Sequence, residues 1–288
     1  LYTAQEPPTQ LYGWLGGPDG DPEGFVTYGI DPPVGFLALR ASGGRWSSKT
    51  MGAIMRALSY NDTFPGAIGT IVVPINDKIH DTIMPVMRKV CRDQGLVYGK
   101  DWEFNQTWRY LYFPYNDCTI FLRSAEHPNR LAGPSMAWLA IDEYRDVSED
   151  VFTSLINAVR QPGYPLQCWM TSTGAPRSHW SRKHWLPDDY ARDYDTEPIK
   201  SSIWKFKTYY PASKDNPFLD RRLWEANKNI YGPDTPMARR EYLGEELDLE
   251  GLVFPMWDAA KFLVPRDKWP TPNPKLVLAG VDFGFATP

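Results

Sequence analysis

Residues 37–50, which read LALRASGGRWSSKT, constrain the fold of this chain more than any other stretch. An apolar run leads into two glycines, and the segment ends in Lys-Thr where a helical pattern begins. We therefore expect a buried strand, a glycine-opened loop and a helix, in that order. Such loops bind phosphate because their backbone N–H groups converge on phosphate oxygens and the positive end of the helix dipole adds to the attraction.

This pattern predicts a nucleotide-binding loop of eight consecutive residues: Gly43, Gly44, Arg45, Trp46, Ser47, Ser48, Lys49 and Thr50. Lys49 would reach the β- and γ-phosphates of ATP, and the Thr50 hydroxyl would bind Mg²⁺. Ser48 stands where the usual pattern, G-x-x-x-x-G-K-S/T, has its second glycine. It must either tolerate a strained backbone or belong to a differently shaped loop. The alternative is an ordinary strand-to-helix turn in which Lys-Thr occurs by chance.

A second apolar run, residues 136–141, ends in Asp142 and Glu143. Continuous apolar runs of this length are typical of strands buried on both faces of a parallel sheet. Acids at the end of such a strand emerge at the carboxyl edge of the sheet, where open α/β sheets bind ligands. Asp142 would hold Mg²⁺, directly or through water, and Glu143 would accept the proton of an attacking water. The alternative is that Asp142 caps the next helix.

A third strand, residues 166–170, runs into the hydroxyl-rich turn Thr171-Ser172-Thr173. Hydroxyl groups at a strand end can bond a water or a γ-phosphate and respond to its loss, which makes Thr173 a candidate site residue. An ordinary Ser/Thr turn before Gly-Pro explains this segment equally well when it is taken alone.

The order of these segments resembles the ATPase domain of the large terminase subunit of tailed bacteriophages, the motor that packages DNA. The glycine-arginine loop before Lys-Thr, the Asp-Glu strand and the Thr-Ser-Thr-Gly turn are similar to that family's phosphate loop, acidic motif and coupling motif. Residues 122–133 resemble a further family segment that ends in Leu-Arg-Gly, although Ala132 occupies the arginine position here. If an arginine finger comes from this segment, Arg130 is the nearest candidate and Arg123 the next.

Residues 275–284 form another apolar strand pattern with Asp282 near its end. In terminases the second domain is a ribonuclease-H-like nuclease whose first strand carries a metal-binding Asp, so the resemblance assigns Asp282 to a metal site. One acid supplies too few ligands for two-metal cleavage, and we expect no nuclease activity from this chain.

Composition limits the alternatives. A chain of 288 residues with 42% hydrophobic content and no long apolar stretch predicts a globular protein without a membrane span. Its three cysteines lack metal-site spacing, which indicates a reducing compartment. A formal net charge of −4 mildly disfavours nucleic-acid binding.

The fold we expect is α/β, a P-loop NTPase with a mostly parallel, doubly wound sheet and a small lid subdomain. The expected divisions are an N-terminal arm at 1–33, an ATPase core at 34–200, a lid at 201–264, a linker at 265–274 and the truncated start of a nuclease domain at 275–288.

The resemblance implies ATP hydrolysis coupled to translocation of double-stranded DNA into a viral capsid. It also implies assembly of a homo-oligomeric ring with the capsid portal and the small terminase subunit in the host cytoplasm, away from any membrane. Two other functions remain open. One is a helicase-like ATPase, which would need a second motor domain; the other is a catalytically weak module that docks on the portal.

Overall fold

The computed structural model describes residues 15, 24–31, 33–126, 128, 131, 133–176, 178–184, 204–216, 219–232 and 235–247. All of them belong to the first of the two units into which the chain divides, Leu1–Leu249. Within the described part of the chain, no helix combines the length and the apolar character that crossing a membrane requires.

The described residues are organised around one eight-stranded sheet, with strand order β3-β4-β5-β2-β6-β7-β1-β8. The strands are β1 (Leu37–Ser42), β2 (Ile68–Val73), β3 (Glu103–Asn105), β4 (Tyr110–Phe113), β5 (Cys118–Ser124), β6 (Trp138–Asp142), β7 (Gln167–Ser172) and β8 (Lys205–Tyr209). The ladders β5-β2-β6-β7-β1-β8 are all parallel. Only β3-β4 and β4-β5 pair antiparallel, so the expected mostly parallel sheet is confirmed.

Alternate residues of the central strands enter two hydrophobic layers, one on each face of the sheet. In β6, Trp138 and Ala140 belong to the first layer, whereas Leu139 and Ile141 belong to the second. This alternation follows from the period of two along a strand, and burial of both faces explains why the sequence there is continuously apolar. The stacked rings of Trp138 and Trp169, with centroids 4.8 Å apart, lie at the centre of the first layer.

Two helices cover the first face, α1 (Lys49–Thr63) and α2 (Met84–Asp93). The apolar pattern of residues 76–95 predicts one helix, broken or kinked at Pro85. Instead a π-helical turn, Ile79–Ile83, precedes α2, and the Met84 N–H bonds the carbonyl of Ile79 five residues back. Proline lacks an N–H and clashes with the carbonyl four residues earlier, which accounts for this irregular start.

The second face is covered by α3 (Glu149–Ile156) and α4 (Trp180–His184), which contribute Val151, Leu155 and Trp180 to that layer. Ser148 caps α3, since its side chain accepts a hydrogen bond from the Val151 N–H at 3.4 Å. A hairpin around residues 114–117 joins β4 and β5.

The last described elements are β8, a 3₁₀ turn at Ser213–Asp215, α5 (Arg221–Ile230) and α6 (Pro236–Leu243). All lie in the range 201–264 that we expected to form a separate lid. However, β8 pairs in parallel with β1, from Leu37↔Lys205 to Ala41↔Tyr209, so part of that range belongs to the main sheet.

Candidate functional site

Three neighbouring strands bring the predicted site residues together. In the order β6-β7-β1 all neighbours are parallel, so their carboxyl ends meet at one edge of the sheet. The segment after β1 is the loop 43–48, β6 ends in Asp142, and β7 ends in Ser172. Open parallel sheets place ligands at this edge.

Along β6, Asp142 lies two residues after Ala140 and therefore on the same face of the sheet. This is the first face, which α1 covers. Thr50, in the first turn of α1, donates its hydroxyl to the Oδ1 and Oδ2 of Asp142 at 3.1 and 3.0 Å. Thr171, its partner across the β6-β7 ladder, donates to Oδ1 at 2.6 Å. The alternative that Asp142 caps a helix is wrong, because its carboxylate is engaged by these two hydroxyls and Ser148 caps the next α-helix.

The pKa of Asp142 is raised to about 6, first by burial and then by the nearby charge of Glu143. The hydroxyls of Thr171 and Thr50 and the charge of Lys49 act in the opposite direction. A carboxylate with this environment is stabilised when a cation lies beside it.

Glu143 follows β6 directly and has a left-handed backbone conformation, with φ 53° and ψ 50°. Its Oε2 accepts a hydrogen bond from the Ser172 hydroxyl at 3.0 Å. That bond fixes the carboxylate above the end of β7, beside Asp142.

Lys49, the first residue of α1, is almost fully buried, with an exposure of 7%. Its ammonium donates to the Gly44 carbonyl at 2.6 Å and to the Ser47 hydroxyl at 3.3 Å. Burial lowers its pKa to about 8, although the charges of Glu143 and Asp142 raise it. The lysine and both acids therefore share one electrostatic environment.

The sequence leaves two alternatives for Ser48, a strained backbone or a differently shaped loop, and the structure has the strained backbone. It has φ 63° and ψ 26°, the left-handed conformation that a glycine would adopt at this position. The loop thus keeps the backbone shape that its sequence pattern predicts, with serine in place of glycine.

Gly43 and Gly44 are required because other segments of the chain pack directly against their Cα atoms. A Cβ on Gly43 would lie 2.4 Å from the Pro211 carbonyl oxygen, and one on Gly44 would lie 2.2 Å from that of Tyr242. The N–H groups of the two glycines bond the carbonyls of Ser172 and Pro211, at 3.0 and 2.9 Å. The segments around β8 and α6 therefore press directly on this loop.

A cleft of about 890 Å³ opens at this edge of the sheet. Of the sequence-predicted residues, it is lined by Arg45, Trp46, Ser48, Lys49, Thr50, Glu143 and Thr173. Gly43, Gly44, Ser47 and Asp142 are not part of its lining, although Asp142 contacts Thr50, which is. The Thr173 hydroxyl is buried and has no hydrogen-bond partner among the described residues, so it is available to a ligand.

Thr50 and Asp142 fit a Mg²⁺ site. Both offer oxygen atoms, and Mg²⁺ characteristically takes one or two protein oxygens together with substrate phosphates and water. Adjacent ligands in its octahedral shell lie about 2.9 Å apart, close to the 3.0 Å between Thr50 Oγ1 and Asp142 Oδ2. The described residues contain no cluster of three or more His, Cys, Asp or Glu side chains that could hold a metal alone.

Two predicted residues, Arg130 and Asp282, lie outside the described residues. Arg123, the second candidate for an arginine finger, lies on β5 with its guanidinium 4.8 Å from the centre of the Phe121 ring. It also donates to the Trp108 carbonyl at 3.1 Å and is not part of the cleft lining.

Sequence reasoning missed several residues at the cleft. Lys78, which precedes the π-helical turn, and Thr82 within that turn both line the cleft. Arg145 lines it from the 3₁₀ turn Tyr144–Asp146 after Glu143. Glu241 of α6 is not itself part of the cleft lining, but it forms an ion pair with Arg45, which is. Only Arg145 carried a signal, its position two residues after the paired acids.

With the site defined, comparison with known proteins identifies the family. Residues 42–245 match the family model of the phage terminase large subunit. The chain belongs to this family. The comparison with curated proteins gave no match.

Solved terminases share the fold. The large terminase of the thermophilic bacteriophage D6E superposes with a TM-score of 0.59 at 16% identity, covering 87% of this chain and 58% of that one. The same D6E protein in complex with ATP-γ-S gives a TM-score of 0.57 at 16% identity, with coverages of 86% and 57%. The large terminase ATPase domain of Thermus phage P74-26 gives 0.55 at 20% identity, with coverages of 73% and 88%. The chain thus spans a little over half the length of the D6E protein, and the expected P-loop NTPase fold is confirmed.

Proposed function

We propose that this chain is the ATPase part of a DNA-packaging motor, which hydrolyses ATP with Mg²⁺ and couples hydrolysis to the movement of double-stranded DNA into a capsid. The observation that carries the proposal is that Lys49 and Thr50 meet Asp142 and Glu143 at one cleft. The D6E terminase, which has the same fold, has been solved in complex with ATP-γ-S. That complex supports a nucleotide as the ligand of this cleft.

The residues present divide the work of phosphoryl transfer, which depends on positioning and charge neutralisation. Lys49 leaves its contact with the Gly44 carbonyl and binds the β- and γ-phosphates. Thr50 and Asp142 would hold Mg²⁺, which would neutralise charge on the phosphate oxygens.

Glu143 acts as the general base. Its carboxylate, fixed by the Ser172 hydroxyl, takes the proton of the water that attacks the γ-phosphorus. Because Ser172 ends β7, the adjoining Thr173 hydroxyl would sense whether the γ-phosphate is present and pass its loss to the neighbouring α6 segment.

The partners follow from the family: double-stranded DNA, the capsid portal, the small terminase subunit and further copies of this chain in a ring. The host cytoplasm is the expected location. Arg130 remains the proposed arginine finger, and Asp282 the proposed first ligand of a nuclease metal site.

Phosphate release by the purified chain, with and without double-stranded DNA, tests this function. Lys49→Ala is expected to lower the turnover at least about a hundredfold, because the γ-phosphate loses its main cation. Glu143→Gln is expected to bind ATP and lose hydrolysis. Lys89→Ala, which removes an exposed lysine paired with Asp93 on α2, is the control and is expected to keep full turnover.

Each outcome decides between functions. Normal turnover in Glu143→Gln would exclude Glu143 as the base. An inactive wild-type chain that still binds the portal would instead support the docking module. Cleavage of DNA by this chain would overturn the expectation that it has no nuclease activity.

A further inference from the structure

Glu241 on α6 is a buried acid that the proposed function does not use. Its carboxylate, only 3% exposed, lies among three arginines: Arg45 Nε at 2.5 Å, Arg240 Nε at 3.2 Å and Arg145 Nη1 at 3.5 Å. Burial raises the pKa of Glu241, but the hydrogen bond from Arg45 and the charges of the three arginines outweigh it and lower the pKa overall. The group is therefore a carboxylate at neutral pH.

Two of these three arginines, Arg45 and Arg145, line the cleft, whereas Arg240 does not. Each of these two residues therefore contacts a protein carboxylate and also borders the cleft proposed to hold the phosphates. A guanidinium binds carboxylate and phosphate with the same donor geometry, so the two anions compete for it.

The guanidinium of Arg145 leaves one of its buried nitrogen atoms without a hydrogen bond to the described residues. Its Nη1 is buried and faces Glu241 without making a hydrogen bond to any described residue. Its Nε lies 3.6 Å from Asp146, whose side chain is more than half exposed. Leaving a buried charged donor unbonded is costly, and a phosphate oxygen in the cleft would remove that cost.

The position of Arg145 indicates which phosphate it would meet. It is two residues from Glu143, and both residues line the cleft together with Thr173. A group on this turn lies at the end of the cleft where the base acts, which is the γ-phosphate end.

We propose, on the basis of the proposed function, that Arg145 is a catalytic residue that binds the γ-phosphate of ATP and is held by Glu241 while the cleft lacks nucleotide. ATP draws Arg145 and Arg45 away from Glu241 and leaves that carboxylate with Arg240 alone. Because the Glu241 carbonyl also accepts a bond from the Arg45 N–H at 2.6 Å, the exchange reaches α6 through the backbone as well.

The test compares Arg145→Ala with Arg222→Ala, since each removes one arginine but only the first removes a group that lines the cleft and faces Glu241. In Arg145→Ala we expect turnover to fall roughly a hundredfold and ATP-γ-S affinity to fall roughly tenfold, with ADP affinity almost unchanged. Arg222→Ala, which removes an exposed arginine paired with Asp220, is expected to stay within about threefold of wild type in all three measurements. Arg145→Lys is expected to restore part of the ATP-γ-S affinity, because it keeps the charge.

Removing the negative charge of Glu241 tests whether this carboxylate competes with phosphate for the arginines. Glu241→Gln is expected to raise ATP-γ-S affinity several-fold, because the competing charge is gone. Glu245→Gln, which removes a carboxylate paired with Arg239 away from the cleft, is the matched control and is expected to leave affinity unchanged.

The outcomes separate this inference from the proposed function. If the wild-type chain and Arg222→Ala hydrolyse no ATP, the proposed function fails. If both hydrolyse ATP and Arg145→Ala does so equally well, or discriminates ATP-γ-S from ADP as wild type does, the role of Arg145 is overturned. Should Arg145→Ala fail to fold, Arg145→Lys and Glu241→Gln decide, and an unchanged ATP-γ-S affinity in both rejects the proposal.

Discussion

Ser48 and Glu143 both hold left-handed backbone conformations, in two separate segments that line the cleft. Such conformations cost a non-glycine residue on the order of 1–2 kcal/mol, and they persist where the surroundings fix the chain. Ser172 holds the Glu143 carboxylate, and the Asn216 side chain lies 3.5 Å from the Ser48 hydroxyl. Trp46, Ser48 and Glu143, three of the six non-glycine residues with positive φ in the described part of the chain, thus line the cleft.

Substitution at Ser48 tests the strain. Ser48→Gly is expected to be more stable than Ser48→Ala by about 1 kcal/mol, because glycine adopts a positive φ without a steric cost. Both variants lack the hydroxyl, so their difference in denaturant midpoint isolates the backbone. An alanine variant as stable as the glycine variant would show that the left-handed conformation carries no strain.

The sequence predicts some of the individual site residues and misses others. Lys49, Thr50, Asp142 and Glu143 were predicted to meet because each closes or follows an apolar run, and parallel strands end at a common edge. Glu241 lies 196 residues from Arg45, and its ion pairs depend on how α6 packs. No local pattern encodes such a contact.

At the scale of elements, α6 and the segment around Ser213 pack on the proposed nucleotide-binding loop through the bare Cα atoms of its glycines. A Cβ on Gly44 would lie 2.2 Å from the Tyr242 carbonyl oxygen and 2.4 Å from the Ser213 hydroxyl. The nearer of these two atoms belongs to the backbone, which cannot move aside as a flexible side chain could. The loop and α6 are therefore mechanically joined.

Gly44→Ala is accordingly expected to destabilise the chain by about 2 kcal/mol or more, through overpacking. The control is Gly35→Ala, because a Cβ there meets nothing within 4 Å. Urea unfolding of both variants measures the difference. Equal midpoints would mean that α6 does not press on the loop in solution.

The sequence predicts long elements that have a clear periodic pattern. It does not predict very short strands, nor the pairing of strands that lie far apart in the chain. The three residues of β3, Glu103–Asn105, are too few for a periodic pattern. The alternating pattern of residues 203–207 predicts a strand, but it does not predict that β8 lies beside β1, since strand order in a parallel sheet is set by crossovers rather than by local sequence. Pro85 predicted an irregular helix, and only the structure showed a π-helical turn.

At the scale of the whole molecule, the cleft is built from segments far apart in the chain, with Arg45, Thr82, Glu143 and Thr173 all in its lining. A ligand that contacts all of them binds the folded chain and has no equivalent site on the unfolded one. Its binding energy then adds to the stability of the fold.

ATP-γ-S with Mg²⁺, at about a hundred times its Kd, is therefore expected to stabilise the chain by about 2.7 kcal/mol. For a domain of this size that corresponds to a rise in Tm of roughly 5–10 °C. Lys49→Ala is expected to show little of the shift, and chelation of Mg²⁺ is expected to reduce it in wild type. A Tm that does not respond to nucleotide in wild type would contradict a nucleotide site in this cleft.

The neighbours of β1 have a consequence for how the chain acquires its structure. β1 is flanked by β7 and β8, whose first residues are Gln167 and Lys205, so its partners are synthesised long after it. Pairing across such sequence separations is slow, because the connecting chain must close before the contacts stabilise it. We expect the strand that leads to Lys49 to be among the last to be secured during refolding, so the chain gains most of its hydrophobic layers before it can bind a nucleotide.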